Sequence, residues 1–518
     1  MPRSFFGALL LLSLSRSLLH PFLKSLESKY GQSNNQKFEF KLFHFRRGHD
    51  VTAVMPFKEK TNNYKIIWSD PDSQVMKAIT KGTDPLIKKE TSNPFAMLSG
   101  MMEFAFTIND NAMKDPMMKE MLNDPNTKFD IVIVQPFPGS EAGYYLAKRF
   151  NAPLAIYLTA QSNIPFVNTA LGQPFNPSYM PLVANNFVAP MTFFQRVINT
   201  FTTFMFEHVI RKHVMLPNAY KILAKHFPNE DIPDLIELEK DVSVAFTFGH
   251  PLFLDGWSPM APNYVQLGMM NCRPAKEFPA DDAIGNFLKK SKNGVVFMSF
   301  GSVVQPSLMP KEYKDIFLNV FRKFPQYDFI WKWDDEVPEA PKNVLISSWL
   351  PQQEILGHPN LKVFVTHAGQ SSFQETLCHQ KPTVAVPVMG DQLLNALEMQ
   401  GLGFGISVPY TTLTEEDLYN ALNDVLHNPK YAETAKAVGS LANDQITRPL
   451  DRAIWWIEHV IRHPTMYAGR SPVHKLYWYQ YFLLDVFAFV AFILFMIVKI
   501  IKIVFRFCCQ RKTKTKEE

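Results

Sequence analysis

One stretch constrains this chain more than any other, residues 349–392, WLPQQEILGHPNLKVFVTHAGQSSFQETLCHQKPTVAVPVMGDQ. In its middle, residues 363–366 form a β-branched and aromatic run, the composition of a buried parallel strand. His367-Ala368-Gly369 then predicts a tight loop, and Ser372-Phe-Gln-Glu375 has the Ser-x-x-Glu spacing of a helix start. A strand, a small-residue turn and a helix N-terminus in that order turn free backbone N–H groups and the positive end of a helix dipole toward whatever lies above the sheet. Such a place suits an anion, and a diphosphate best of all. Around it stand an indole (Trp349), an amide (Gln352), an imidazole (His367), a carboxylate (Glu375) and an acid–amide pair (Asp391, Gln392).

Strand and helix patterns alternate on both sides of this stretch. In the first half, strands are expected at 128–134, 152–157 and 242–247, with a helix at 143–150. In the second half, residues 293–302 read as a strand ending in a Gly-Ser turn, a further place for backbone amides to meet phosphate. A helix at 311–324, strands at 328–333 and 344–347, a strand at 383–386 and helices at 392–400 and 413–426 follow. The alternation predicts an α/β chain of two facing doubly wound (Rossmann-like) domains, the second with its ligand at the carboxyl ends of its strands. A length of 518 residues accommodates two large domains with appendages. A 47% hydrophobic and 13% aromatic composition argues for folded cores. The tail over 506–516 contributes much of the net charge of +5, and no concentrated basic face points to nucleic acid. Between the halves of the first domain, residues 164–216 are rich in Phe, Met, Pro and Asn without clean periodicity. Asp70-Pro-Asp72 reads as a turn rather than a metal site.

The order and spacing of Trp349, Gln352, His367, Glu375, Asp391 and Gln392 resemble the signature of the UDP-glycosyltransferases, of the membrane-bound animal UDP-glucuronosyltransferase type. The resemblance covers nearly the whole chain and is strongest over 295–463. It implies the GT-B-type glycosyltransferase architecture, with UDP on the second domain and the acceptor on the first. It also implies that Trp349 stacks on uracil, Gln352 reads the base and ribose edge, His367 touches the diphosphate, and Glu375 takes ribose hydroxyls. Asp391 and Gln392 would hold sugar hydroxyls, and Gly301, Ser302, Gly369 and Ser371 would line the same donor site. The implied reaction is direct displacement at the anomeric carbon with inversion. Charge on the leaving UDP would be met by His367, the Ser302 turn and the helix dipole. No cofactor and no metal is expected beyond the co-substrate, UDP-glucuronate or UDP-glucose, and the acceptors would be small and lipophilic. The region 164–216 would wall the acceptor pocket and touch the membrane face.

Two residues depart from the pattern. The family carries Ser-His in its first loop, where the histidine takes a proton from the acceptor; the matching place here is Ser33-Asn34, and asparagine cannot act as a base. The aspartate that orients that histidine is replaced by Gln135. Glu141 is the nearest carboxylate, a candidate base or a solvated helix start, and His44 and His49 read as structural. Two readings stay open: a transferase for acceptors that are already nucleophilic, or a catalytically impaired UDP-sugar-binding relative acting through partner subunits. Likewise, where family members often carry Arg-Pro-x-x-Pro, this chain has Ser258-Pro-Met-Ala-Pro262, which removes the natural partner of a glucuronate carboxylate.

The expected organisation is a signal peptide at 1–20, an acceptor-binding domain at 21–267, a linker at 268–290 and a UDP-sugar-binding domain at 291–445. Helices at 446–475 would return to the first domain, ahead of a transmembrane helix at 481–504 and a basic cytosolic tail at 505–518. Lysines in that tail resemble a retrieval signal, so a single-pass type I protein of the endoplasmic reticulum membrane with lumenal catalytic domains is expected, as a possible homo- or hetero-oligomer. Of the four cysteines, Cys272 and Cys378 belong to the main body; they could pair, but the place of Cys378 in a core helix favours a buried free thiol.

Overall fold

The computed structural model of the chain describes residues 9–14, 49–55, 65–68, 87, 103, 106–107, 109–136, 141–158, 164–173, 175–185, 187–251, 253, 260–301, 304, 308–465 and 471–514. Asn34, His44, Ser302, the 70–72 turn, Ser258 and the end of the basic tail lie outside the described residues.

The first sheet holds seven strands: β1 (Leu9–Leu14), β2 (His49–Met55), β3 (Lys65–Trp68), β4 (Ile131–Val134), β5 (Leu154–Leu158), β6 (Val242–Thr247) and β7 (Tyr264–Gln266). Their order is β3-β2-β1-β4-β5-β6-β7. Every residue of β4 and β6 is buried, which is why these segments read as unbroken apolar runs. All neighbours are parallel except β1, which runs antiparallel to both β2 and β4, with Leu14 opposite His49 and Leu9 opposite Val134. The run that the sequence presents as an export signal is thus set as a strand between β2 and β4, where its backbone groups find partners on both sides.

The second sheet holds β8 (Val295–Ser299), β9 (Asp328–Lys332), β10 (Val344–Ser347), β11 (Leu361–Thr366), β12 (Thr383–Ala385) and β13 (Gly405–Ser407). It is parallel throughout, in the order β10-β9-β8-β11-β12-β13. Its core is strongly aromatic, with Phe317, Phe321, Phe329 and Trp331 packed together between the sheet and its helices.

The helices that matter for the site are α1 (Ala142–Arg149), α2 (Phe193–Met205), α3 (Leu216–His226), α4 (Lys311–Lys323), α5 (Gln352–Gly357), α6 (Gln370–Cys378), α7 (Gln392–Gly401), α8 (Glu415–His427), α9 (Pro429–Asn443) and α10 (Pro449–Arg462). A π-helical segment, Phe206–Met215, joins α2 to α3 without a break. The absence of clean periodicity expected over 164–216 is therefore a correction: most of it is helix, but with the usual pattern inverted. Phe193, Phe194, Val197, Phe201 and Phe204 of α2 are exposed, while its buried positions are Asn199 and Thr203. The Asn199 amide accepts from Leu182 N and Asn185 Nδ2 and donates to the carbonyls of Pro177 and Met180, at 2.7–2.9 Å, so its burial leaves no polar atom unmet.

α10 packs on the first sheet, placing Ala453, Ile457 and Val460 against Val51, Ala53, Ile131 and Ile133. His49 is structural: it is buried at the start of β2 and meets Glu458 of α10 at 3.2 Å. The two sheets belong to one compact unit, 1–468. Met269 and Phe253 of the first half pack with Phe373 and Leu377 of α6, and Gln374 Nε2 donates to the Phe248 carbonyl at 2.9 Å. Cys272 and Cys378 are joined in a disulfide. This corrects the free-thiol reading: Cys378 is the last residue of α6 rather than a mid-helix core position, and it emerges beside the linker that carries Cys272.

A second unit, 469–518, contains the helix α11 (Leu484–Lys514). Its apolar stretch Leu484–Arg506, 23 residues, is long and apolar enough to cross a bilayer, close to the expected 481–504.

Candidate functional site

The chain passes from β8 outward to β9 and β10, then crosses back to β11 and continues outward to β12 and β13. The loops at the carboxyl ends of β8 and β11 therefore diverge, and such a topological switch point is where open α/β sheets bind their ligands. Gly301 follows β8 and His367 follows β11. The two are in close contact: a Cβ on Gly301, whose φ is +73°, would stand 2.6 Å from His367 Cε1, and a Cβ on Gly369 would stand 2.6 Å from His367 Nε2. Glycine is required at both places because the imidazole is flanked by two backbones. Ala368, between them, takes φ +60°, an uncommon left-handed conformation that makes the turn tight.

His367 is buried, and burial first, with Lys332 second, pushes its pKa down to about 3. The imidazole is neutral near pH 7, and its Nδ1 has no hydrogen-bond partner among the described residues. A neutral imidazole offers one N–H donor and one acceptor nitrogen.

The Ser-x-x-Glu spacing does not form the expected capping box. Gly369 is the N-cap of α6 and Ser372 lies inside its first turn, because the tight loop starts the helix earlier than the side-chain pattern suggests. Ser372 and Glu375 instead face α5: Gln352 Nε2 donates to Glu375 Oε2 at 2.6 Å and to Ser372 Oγ at 3.2 Å, and Gln353 Nε2 donates to Glu375 Oε1 at 3.3 Å. Three residues before Gln352, Trp349 is 59% exposed, which excludes a core role and leaves an indole face open. Ser371 is half-buried in the first turn of α6.

Asp391 is half-buried at the start of α7 and accepts from Asn395 Nδ2 at 3.0 Å and from the Gln370 backbone N–H. Burial raises its pKa and these donors pull it back. One amide at the α6 N-terminus is therefore already engaged. Gln392 is buried with its carbonyl oxygen accepting from Val388 and Met389 N–H groups at 2.8 and 3.0 Å, which fixes the loop and leaves the NH₂ end for other contacts.

Sequence reasoning missed Lys332. It ends β9, and its Nζ donates to the Gly301 carbonyl at 2.5 Å. The signal was present: a lysine between Trp331 and Trp333 in an otherwise buried strand is out of place unless something holds it there.

On the first domain, Gln135 is buried directly after the carboxyl end of β4. Glu141 is the N-cap residue of α1 but is 1% exposed, so a solvated helix start is ruled out. It acts electrostatically on Tyr144, Arg211 and Glu239, all buried, and Arg211 is ion-paired with Glu239. The chain leaves β1 at Leu14, opposite His49, and enters β2 at His49. Both ends of the segment carrying Asn34 thus lie at the amino edge of β2 and β4, whereas Gln135 lies at the carboxyl edge.

A family model described as "UDP-glucoronosyl and UDP-glucosyl transferase" matches residues 49–517. The chain is 32% identical over 447 residues to UDP-glucosyltransferase 2 of Dactylopius coccus, covering 86% of this chain and 84% of that protein. It is 31% identical over 500 residues to UDP-glucuronosyltransferase 2B15 of Rattus norvegicus, covering 91% of each. Among solved structures, the calicheamicin glycosyltransferase CalG4 superposes with a TM-score of 0.53 at 15% identity, over 82% of this chain and 95% of that one. That likeness concerns the fold, which is GT-B.

Proposed function

Because this chain belongs to the UDP-glucuronosyl and UDP-glucosyl transferase family and is a UDP-glycosyltransferase, we propose that it moves glucose or glucuronate from UDP to small lipophilic acceptors by direct displacement with inversion. The carrying observation is the convergence at one switch point of an exposed indole, a linked Gln352–Glu375–Ser372 group and an imidazole held between two glycines. In this reading uracil lies on Trp349, ribose on Glu375 and Gln352, pyrophosphate beside His367, Gly301, Ser302, Gly369 and Ser371, and the sugar beside Asp391 and Gln392. Membership among transferases supports catalysis over a purely binding role. With neither Asn34 nor Gln135 able to take a proton, the acceptors are those that ionise or attack unaided, phenols and amines above all.

The loss of an arginine near residue 258 makes UDP-glucose at least as good a donor as UDP-glucuronate. Membrane attachment is supported by α11 and by the exposed Phe and Val face of α2. A lumenal catalytic body is supported by the Cys272–Cys378 disulfide, since such bonds persist in oxidising compartments. Microsomes carrying the protein, given labelled UDP-sugars with a panel of phenols and amines, test the proposal. Glycosylated product is expected; intact UDP binding with no product from any acceptor would favour the binding relative.

A further inference from the structure

We infer that Lys332 is the cation that receives the donor's pyrophosphate. The inference rests on the donor-site reading above and adds to it a residue outside the recognised signature. Lys332 stands one residue beyond the Met298–Trp331 pair, on the strand that flanks β8 on the side away from β11. Its side chain reaches across the end of β8, and the bond from Nζ to the Gly301 carbonyl sets the ammonium at the mouth of the β8 loop, on the same glycine whose Cα abuts the His367 ring. An ammonium has three donors, and among the described residues the Gly301 carbonyl is the acceptor that Lys332 has.

The charge balance of the site points the same way. A pyrophosphate at this loop brings at least two negative charges beside the buried His367 ring, where an unmatched charge is costly. His367 is neutral, and the first amide of α6 is occupied by the Asp391 carboxylate, itself an anion when ionised. Lys332 forms no ion pair among the described residues. Burial holds its ammonium below the usual lysine range, with only partial relief from Asp334. A half-buried cation without a carboxylate partner among the described residues, fixed at the switch-point loop, is matched when a phosphate arrives.

Isothermal calorimetry on the detergent-solubilised full chain, with UDP and with uridine as separate titrants, tests this. Lys332→Met should weaken UDP binding on the order of 10- to 100-fold while leaving uridine affinity unchanged, and Lys332→Arg should restore most of the loss. UDP affinity unaltered in Lys332→Met, or a parallel fall for uridine that marks a merely structural lysine, would overturn the inference. Wild-type protein that binds uridine and UDP equally would overturn it too, while sparing the nucleotide site. Wild-type protein that binds neither would remove the donor-site reading and this inference together.

Discussion

At the scale of single residues, His367 sets a clear pH dependence. Its pKa is about 3 in the folded chain against 6.5 for the free side chain, so between these values the unfolded chain binds more protons. Its share of stability is complete above 6.5 and is lost as pH falls, by about 2 kcal/mol at pH 5. His250 and His379, both lowered to about 4 by burial, act in the same direction. Melting temperature should fall between pH 7 and pH 5, less steeply in His367→Asn; a flat profile would contradict the burial argument. Asp391→Ala should raise KM for the UDP-sugar by about 10-fold or more, because in the proposed reading the carboxylate meets the sugar while it orders the α6 start. Unchanged donor affinity would refute its assigned role. Trp349, Gln352, His367 and Glu375 were legible in the sequence because each is an unusual residue type at a fixed offset. Lys332 was legible only as a lysine set between Trp331 and Trp333, since nothing in its local pattern says which loop its side chain reaches.

At the scale of elements, strands were the easiest to anticipate: residues 242–247 and 344–347 match β6 and β10 end for end, and the helix start marked by Thr414 before α8 fell in place, unlike the one marked by Ser372. Failure came where periodicity and burial part company. α2 keeps its Phe residues outside and Asn199 inside, so no rule that places apolar residues in the core could orient it. Asn199→Ala should therefore destabilise the fold by about 3 kcal/mol by stranding its buried partners, whereas Phe201→Ser should stay within about 0.5 kcal/mol. Chemical denaturation compares the two directly, and a larger loss for Phe201→Ser would reverse the assignment. β1 poses a second test. Removing residues 9–14 as a signal would leave β2 and β4 without the strand between them, so amino-terminal sequencing of the mature protein should find a start before Leu9. A start beyond Leu14 would show that the sheet closes without this strand.

At the scale of the whole molecule, the two sheets meet through α6, which carries the site's N-terminal turn, bonds Phe248 of the other half through Gln370 and Gln374, and ends in the disulfide to the linker. The two-domain plan was legible from strand–helix alternation alone. The disulfide was not, because sequence separation of 106 residues says nothing about which helix end faces which loop. Alkylation without prior reduction should leave Cys272 and Cys378 unlabelled. Donor choice also belongs at this scale, and competition between UDP-glucose and UDP-glucuronate should show no preference for the glucuronate. The most direct test of the central claim is a structure of the chain with UDP bound. Uracil is expected against the Trp349 indole, with the phosphates between the Gly301 loop and the start of α6; a nucleotide bound elsewhere, or a crevice closed by side chains, would contradict it.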